Sequence, residues 1–414
     1  MCIFYPLYID PGTGSALFSI LIGATATIYF LGRALIIKLK VIISGGKISN
    51  PDGVENTYAI YNEGSQYSNV FRPVLDEFEA RGINLLYLSS DKNDPLLNEP
   101  YNFVKKEFIG EENKAFLCLN MLKASIILMT TPGLDVYQLK RSKGVKHYAH
   151  ILHAPSDATM YHLFGIDYFD SILLTGDYQA NDIRVLEQKR SLNAKNLVTV
   201  GCTYLDVFAE KIRQTPKEEN HPFTVLVSPS WGPSAILSRF GEKLLNPLVK
   251  TGLRIIVRPH PQSKKSESDI LEKLETKYKD SSNLIWDYER ENIYSLAKSD
   301  IMISDFSGII FDYTFLFDKP VMYVKQGFDL RLYDADDLGE DAVKNLWQFK
   351  VLKEIGIQLK EEDFASIGDI IKNASDSGEL RRARQKAKDT AWQYRGEAGK
   401  RTFDFMIKLV NDGI

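Results

Sequence analysis

From residue 58 onward, short apolar runs alternate with longer stretches in which apolar residues recur at helical spacing. In the first half of the chain these runs predict strands at 58–61, 85–89, 125–129, 146–153, 171–174 and 197–200. In the second half they predict strands at 224–227, 254–257, 284–286, 301–303 and 321–324. Helical patterns lie between them, including 70–81, 178–189, 267–278, 293–298 and 308–317. Strands that alternate with helices predict an α/β fold with parallel sheets covered on both faces.

One polar segment interrupts this alternation. Residues 214–222, QTPKEENHP, contain no apolar run and two prolines, which is typical of a linker. We therefore predict an N-terminal domain over 46–215, the core of a second domain over 216–330, and a mostly helical part over 331–414 that packs on the domains. Two similar α/β halves joined by a linker form a cleft, and ligands of such sheets bind beyond the carboxyl ends of the strands.

The first 45 residues have a different charge pattern. Residues 11–32 carry no charged side chain, and the next four charged side chains, from Arg33 to Lys47, are all basic. About 20 apolar residues span a bilayer as a helix, and basic flanks favour the cytoplasmic side. We therefore predict a membrane helix and basic flank within 1–45, with the main domains at the cytoplasmic face of the cell membrane. A helix lying in the membrane interface is an alternative, because Gly23, Thr25 and Thr27 weaken the hydrophobicity. A signal peptide fits less well, because no basic residue precedes the apolar stretch.

Composition excludes several classes of protein. Hydrophobic residues make up 44% and charged residues 25%, which fits a folded globular chain rather than a disordered, collagen-like or multi-span membrane protein. The net charge of −3 argues against a nucleic-acid partner, which would favour a basic excess. The three cysteines are widely spaced without a CxxC pair, so we predict neither a disulfide framework nor a cysteine-rich zinc site.

Two loops that follow predicted strands of the second half carry unusual polar residues. In SPSWGPS (228–234), hydroxyls and backbone amides are suited to surround an anion, with Ser230 and Trp231 as candidate contacts and a simple β-turn as the alternative. In RPHP (258–261), two prolines fix the backbone and aim Arg258 and His260. Arginine binds phosphate through two parallel hydrogen bonds, and histidine exchanges a proton near neutral pH. A histidine satisfied by a local carbonyl is the alternative for His260.

A third loop, SDFSGIIFDY (304–313), follows the predicted strand 301–303. Ser304 and Asp305 are good helix caps, and Ser307 and Gly308 are suited to open a helix whose first amides bind phosphate. Capping alone is the alternative. Asp312 interrupts an apolar run, so a carboxylate there requires partners such as ribose hydroxyls or an arginine.

Three histidines mark the first half, in KHYAHILHAPS (146–156). His147 and His153 share one face of the predicted strand but lie about 20 Å apart at ~3.3 Å per residue, which makes a shared metal improbable. His153, at the strand end, is the better candidate for a general base. We predict no metal site and no cofactor, and the phosphate-loop, GxSxG, HExxH and kinase signatures are absent.

Several of these motifs, taken in order, resemble the CDP-glycerol:poly(glycerophosphate) glycerophosphotransferases, the family of teichoic-acid primases and polymerases. The resemblance rests on SPSW (228–231), RPHP (258–261), SDFSGIIFDY (304–313) with KPVMYV (319–324), and more loosely on ILHAPSDA (151–158). It covers roughly 58–324, and YRGEAGKRTFDF (394–405) looks like the C-terminal helix of the family. It implies a GT-B fold, with two Rossmann-like domains facing across a cleft, at the inner face of the membrane.

The resemblance also implies roles for individual residues. His153 would deprotonate the acceptor hydroxyl, whereas His260 and Arg258 would hold the donor pyrophosphate. Ser304, Asp305, Ser307 and Gly308 would bind phosphate, and Asp312 would anchor the nucleotide side. The chain departs from the family in one motif, where His153-Ala-Pro-Ser replaces the usual His-Gly-Thr-Pro, which predicts a different acceptor pocket.

The predicted function is transfer of a polyol-phosphate group from a CDP-polyol donor to a hydroxyl of a lipid-linked or polymer acceptor of the cell envelope, with release of CMP. One alternative keeps the fold and changes the donor, as in a GT-B glycosyltransferase or an enzyme related to UDP-sugar 2-epimerases. Another is a non-catalytic, membrane-anchored module that binds nucleotide.

Overall fold

The computed structural model describes residues 56–214, 221–289, 291–325, 329–339, 342–374 and 378–414, together with residue 25. The predicted membrane helix within 1–45 and most of the predicted linker lie outside these residues. In the part of the chain that is described, no helix combines the length and hydropathy needed to cross a bilayer.

The N-terminal domain is built on a seven-stranded parallel sheet. Its strands are β1 (Asn56–Asn62), β2 (Leu85–Ser89), β3 (Val104–Phe108), β4 (Lys123–Met129), β5 (Gly144–Ile151), β6 (Ser171–Leu174) and β7 (Asn196–Thr199). They lie in the order β3-β2-β1-β4-β5-β6-β7. Neighbouring residues of β4, Ile126 and Ile127, are buried in different apolar clusters, because successive side chains point to opposite faces. Both faces of this sheet are therefore covered, as the pattern predicted.

The C-terminal domain repeats this plan with six parallel strands. They are β8 (Thr224–Val227), β9 (Arg254–Val257), β10 (Leu284–Trp286), β11 (Ile301–Ser304), β12 (Val321–Val324) and β13 (Gly356–Leu359). Their order is β10-β9-β8-β11-β12-β13. Strands β8, β11 and β12 are buried along their whole length, which explains their continuous apolar sequence.

Helices cover both sheets. In the N-terminal half they are α1 (Ser68–Ala80), α2 (Asn113–Leu119), α3 (Ala180–Lys189) and α4 (Thr203–Gln214). The later ones are α5 (Ile236–Lys250), α6 (Ser263–Ser266), α7 (Ser268–Tyr278), α8 (Ile293–Lys298), α9 (Ile309–Phe317), α10 (Ala342–Asn345), α11 (Trp347–Ile355), α12 (Ile367–Asn373), α13 (Gly378–Ala391) and α14 (Ala398–Asn411). Short 3₁₀ turns join them, including Ser65–Tyr67 before α1 and Asp334–Leu338 before α10.

The structure corrects the sequence expectations at three places. Strand β3 was not predicted, because its sequence VKKEF buries only Val104 and lies at the sheet edge. The part over 331–414 also contains β13, an edge strand of the second sheet that was not predicted. The predicted strand 146–153 ends at Ile151, so His153 lies in the following loop.

Residues after 330 also join the two domains. The Asp157 carboxylate, in the N-terminal domain, accepts the backbone N–H groups of Trp347 (3.1 Å) and Gln348 (2.8 Å) at the start of α11. Arg190 forms ion pairs with Asp334 and Asp337 of the later segment. Helix α14 packs on α1 in the first domain, where Phe403 meets Phe78 edge to face. The C-terminal residues therefore fix the relative position of the two sheets.

Candidate active site between the domains

A cleft of about 1400 Å³ lies between the two domains. The N-terminal domain contributes residues 65–76, after β1, and much of α4. The C-terminal domain contributes the loops after β8, β9, β10 and β11. These loops follow the carboxyl ends of parallel strands, which is where such folds bind ligands.

His260 lines the cleft at the end of the loop after β9. Its Nδ1 accepts the backbone N–H of Gln262 at 3.1 Å, so the neutral ring carries its proton on Nε2. Burial lowers the pKa of His260, and the nearby Glu267 opposes that shift only in part. The ring is therefore neutral at pH 7 and offers an Nε2–H donor. Trp231, of which 49% is exposed, lies beside it with ring centroids 6.3 Å apart.

Arg258 lines the same wall but already has partners. Its guanidinium pairs with the Asp287 carboxylate through Nη1, and Nη2 donates to the Glu289 carbonyl at 2.6 Å. Burial raises the pKa of Asp287, but hydrogen bonds from Ser295, from the Glu289 amide and from Arg258 outweigh it and hold this pKa below its usual value. Arg258 thus holds the loop after β10 in place. Fewer of its guanidinium N–H groups are available to a ligand than the sequence suggested.

The start of α9 supplies the third part of this wall. Ser307 and Gly308 line the cleft, and α9 begins at Ile309. A side chain at Gly308 would meet no atom within 4 Å, so the backbone faces open space. Free amides and the positive end of a nine-residue helix make this position suitable for a phosphate group.

Ser304, Asp305 and Ser230 do not line the cleft, so their expected contact with the donor is not confirmed. The two oxygens of the fully buried Asp305 accept the backbone N–H groups of Ser230 and Ile236, each at 2.9 Å. The Ser304 hydroxyl donates to the Ser228 carbonyl. These side chains hold the loop after β8 against β11, and burial raises the pKa of Asp305. These residues therefore stabilise the loops that line the cleft without lining it themselves.

Asp312 also lies behind the cleft rather than in it. Its Oδ2 accepts the Tyr204 hydroxyl at 3.3 Å, and Tyr204 itself lines the cleft. Burial raises the pKa of Asp312 to about 7, although hydrogen bonds from Tyr204 and Asn292 act in the opposite direction. This carboxyl therefore titrates near neutral pH, one side chain away from the cleft.

His153 does not line the cleft, so the expectation that histidines of both domains meet there is not confirmed. Its Nδ1 lies 3.2 Å from the Thr130 hydroxyl and 3.3 Å from the Tyr161 hydroxyl. Its ring meets the ring of Tyr67 edge-on at 5.0 Å, and the residues on either side of Tyr67 do line the cleft. Burial lowers the pKa of His153 to about 4, which keeps the imidazole unprotonated at pH 7.

The other two histidines of the motif are structural. His147 lies 2.8 Å from the Ser171 hydroxyl, and burial lowers its pKa. His150 is fully buried 3.0 Å from the Tyr161 hydroxyl, and burial lowers its pKa to about 3. Among the residues that the structure describes, no group of three or more His, Cys, Asp and Glu side chains is placed to hold a metal ion.

Sequence reasoning missed the wall that the N-terminal domain contributes. Ser68 and Arg72, on the first turns of α1, line the cleft, and Arg72 forms an ion pair with Glu99 at 2.7 Å. A buried network places this helix start, because Asp94 accepts from Ser68 and from Asn62, both at 2.8 Å. The sequence signal for this network is Asn62, a polar residue that ends the apolar run 58–61.

Residues 216–398 match the family model of the CDP-glycerol:poly(glycerophosphate) glycerophosphotransferases. The match covers 183 of the 414 residues and includes the SPSW, RPHP and SDFSGIIFDY motifs. The resemblance expected from the motifs is thereby confirmed, and the protein is an enzyme of the CDP-glycerol glycerophosphotransferase type. No curated protein sequence matches the chain.

Solved structures share the architecture of the glycerophosphotransferase-type chain. The wall teichoic acid polymerase TagF superposes with a TM-score of 0.55 at 16% identity, over 93% of this chain and 98% of that one. A putative UDP-N-acetylglucosamine 2-epimerase from Listeria monocytogenes gives 0.56 at 11% identity, over 87% and 98%. A UDP-GlcNAc 2-epimerase from Methanocaldococcus jannaschii gives 0.54 at 11%, over 86% and 100%. At these identities the likeness shows the fold alone, and it confirms the GT-B-like arrangement of two Rossmann-like domains.

Proposed function

We propose that this enzyme transfers a polyol-phosphate group, glycerol phosphate or a close relative, from a CDP-polyol to a hydroxyl of a cell-envelope polymer. The acceptor oxygen attacks the phosphorus that bears the polyol, and the bond from that phosphorus to the bridging oxygen breaks. CMP leaves with the electron pair of that bond, and a base takes the hydroxyl proton. The family match supports the donor class, because it covers the wall that contains His260 and the start of α9.

One observation carries this proposal: an Nε2–H donor and a bare helix start line the same cleft. A pyrophosphate bridging the two would meet the imidazole on one side and the amides near Gly308 on the other. Both groups are fixed before the substrate arrives, so they stabilise charge at phosphorus without reorganisation. Phosphoryl transfer depends mainly on such positioning and charge stabilisation.

Lys264 adds a weaker, longer-range attraction for this dianionic donor, whereas the other cations that line the cleft are paired with carboxylates. Lys264 lines the cleft with its ammonium 3.9 Å from the centre of the Tyr288 ring. The charge of Arg258 is neutralised by Asp287. In this proposal Arg258 therefore positions the loop after β10 and donates to the substrate only through its remaining N–H groups. We assign Ser307 and Gly308, rather than Ser304 and Asp305, to direct contact with phosphate.

On the acceptor side we retain His153 as the base. Its unprotonated state at pH 7 suits that role, and its ring contacts Tyr67, which lies in sequence between two residues that line the cleft. The proposal therefore requires Tyr67 to move, or the acceptor to reach past it. A role at the cytoplasmic face of the cell membrane, with a lipid-linked or teichoic-acid-like acceptor, belongs to the same proposal and is supported by the apolar and basic pattern of residues 11–47.

The test is nucleotide release by the purified full-length enzyme. CDP-glycerol and CDP-ribitol are each incubated with a glycerol-phosphate oligomer as acceptor, and UDP-N-acetylglucosamine is run in parallel. We expect CMP release that depends on the acceptor. Absence of CMP from every CDP-polyol, together with turnover of the UDP-sugar, would replace this proposal with the nucleotide-sugar alternative.

A further inference from the structure

A hydrogen-bonded cluster outside the cleft surrounds the ring of His153. The Tyr161 hydroxyl lies 3.0 Å from Nε2 of His150 and 3.3 Å from Nδ1 of His153. The Thr130 hydroxyl lies 3.2 Å from the same Nδ1. We call these four residues, Thr130, His150, His153 and Tyr161, the histidine cluster. The proposed reaction uses only His153, so the other three side chains require an explanation of their own.

Three parts of the fold bring the histidine cluster together. Thr130 and His153 follow β4 and β5, which are neighbouring strands of the first parallel sheet. Tyr161 lies in the segment between β5 and β6, where its ring packs against the apolar cluster on one face of that sheet. Its backbone carbonyl accepts the amide of Asp334 at 2.9 Å. The cluster is therefore fixed by two strand ends and by the C-terminal segment that joins the domains.

The position of the proton on His150 follows from its surroundings. This side chain is fully buried, and burial lowers its pKa to about 3, so the neutral ring carries one proton. Its Nδ1 is buried without a hydrogen-bond partner among the described residues, whereas Nε2 faces the Tyr161 oxygen. A buried N–H without an acceptor is rarer and more costly than a buried lone pair. His150 therefore carries its proton on Nε2 and donates it to the oxygen of Tyr161.

The two nitrogens of His153 have different surroundings. Nδ1 lies beside the hydroxyls of Tyr161 and Thr130, whereas Nε2 makes no hydrogen bond with a residue that the structure describes. A neutral imidazole that accepts a proton on Nε2 has its own proton on Nδ1, which then requires an acceptor. The Tyr161 oxygen has two lone pairs, of which one receives the N–H of His150. The second is placed to receive the Nδ1–H of His153.

We propose that Tyr161 is the positioning residue of the base: its oxygen holds the Nδ1–H of His153, so that Nε2 stays free to take the acceptor proton. This inference rests on the proposed function, in which His153 is the base. In the reaction the acceptor O–H proton moves to Nε2, and the electron pair of that bond allows the oxygen to bond to phosphorus. The bond from phosphorus to the bridging oxygen breaks, and CMP leaves with its electron pair. Tyr161 neither gains nor loses a proton.

Tyr161 differs from a carboxylate in how it acts on the histidine. Burial raises the pKa of its hydroxyl far above the usual value, so this partner of His153 is neutral. The carboxyl group that acts on Tyr161 is that of Glu63, and burial raises its pKa as well. A neutral partner selects the tautomer and the orientation of the ring without the increase in basicity that a carboxylate gives. This explains how the pKa of His153 stays as low as about 4 beside a positioning residue.

Nitrogen NMR of the full-length protein tests the assignment without requiring turnover. The six histidines are labelled with ¹⁵N, and the spectrum of His153→Gln identifies the signals of His153. In the native protein we expect the proton of His153 on Nδ1. In Tyr161→Phe we expect it on Nε2, because only the Thr130 hydroxyl then remains to donate to Nδ1. The same tautomer in both proteins, or a native proton on Nε2, would overturn the proposal, whatever the outcome of the CMP assay.

Kinetics on the same variant test whether the tautomer matters for the reaction. Tyr161→Phe should lower kcat for CMP release by about 10–100-fold, a part of what a general base contributes. The KM for CDP-glycerol should not change, because Tyr161 does not line the cleft. Tyr168→Phe, at an exposed tyrosine that also lies outside the cleft, is the matched control and should keep the native kcat. Equal kcat in the two variants would overturn the positioning role.

A double variant separates positioning from stability. Tyr161→Phe leaves the buried Nε2–H of His150 without an acceptor, which should lower the midpoint of urea denaturation. Adding His150→Leu removes that donor, and we expect the midpoint to return most of the way to the native value. The low kcat and the Nε2–H tautomer of His153 should persist. Recovery of kcat together with the midpoint would show that Tyr161 acts only through stability, which would contradict the proposal.

Discussion

The two walls of the cleft differ in how far their side chains are committed to the fold. On the C-terminal wall, His260, Ser307 and Gly308 face the cavity, and Asp305 and Arg258 fasten the loops that carry them. On the N-terminal wall the conspicuous motif, ILHAPSDA, lies off the cavity, and its Asp157 joins the domains. The C-terminal wall, where we propose that the donor binds, is therefore preformed, whereas the N-terminal wall is built from α1 and α4.

The largest expected effect concerns the preformed wall. His260→Ala removes the Nε2–H that we propose faces the donor and should lower kcat/KM for CMP release by about 10²–10³-fold. His162→Ala is the control, because His162 stacks on Tyr333 in the C-terminal segment and does not line the cleft. Equal activity of the two variants would show that the preformed wall does not stabilise the transition state.

The next effect concerns the support behind that wall. Asp305→Ala leaves the buried amides of Ser230 and Ile236 without an acceptor, which should lower the free energy of unfolding by about 2–4 kcal/mol. Urea denaturation measures the change, and the exposed Asp269→Ala should leave stability within about 0.5 kcal/mol. A matching loss in both variants would mean that the two bonds do not hold the loop.

The third prediction concerns Asp157, which joins the N-terminal domain to the start of α11. Burial raises its pKa from the ordinary value of a carboxyl to about 7, so the folded protein binds this proton more tightly than the unfolded chain. This tighter proton binding contributes at most a few kcal/mol to the free energy of unfolding. The contribution is complete below pH ~4 and is lost as the pH rises to about 7. Urea denaturation between pH 5 and 8 should show this fall in the native protein and a flatter profile in Asp157→Asn. Parallel profiles would contradict the assignment.

The smallest expected effect concerns the hydrogen bond between Tyr204, which lines the cleft on the N-terminal side, and Asp312 of the C-terminal domain. Tyr204→Phe removes a hydroxyl that lowers the pKa of Asp312, so that pKa should rise above about 7. If the ionised carboxylate positions the cleft, the acidic limb of the pH–rate profile moves upward and activity at pH 7 falls by roughly two- to fivefold. Tyr137→Phe, at an exposed tyrosine of the same domain that does not line the cleft, should leave the limb in place.

The features that could be predicted from the sequence are those that a short stretch of residues determines by itself. Buried strands such as β8 and β11 were predicted almost to the residue, because parallel strands read as continuous apolar runs. Strand β3 was missed because three of its five residues are charged, so it has no such run. The RPHP motif (258–261) was identified because its two prolines restrict the backbone. Ser307 and Gly308 were identified because they immediately precede a helix.

The remaining site residues depend on contacts that are distant in sequence. Asp157 and Trp347 are 190 residues apart, and Asp305 meets Ser230 across 75. No spacing rule distinguishes an aspartate that binds phosphate from one that accepts backbone amides behind the loop. The position of His153 depends on where Tyr67 lies, and Tyr67 precedes a helix whose start is fixed by Asp94.

The most direct test of the account is a structure of the full-length enzyme with CDP-glycerol bound. We predict the pyrophosphate between the Nε2 of His260 and the amides at the start of α9, with the glycerol end directed toward α1. Density for the diphosphate elsewhere, without contact to His260 or to residues 307–309, would contradict the claim that this wall is the donor site.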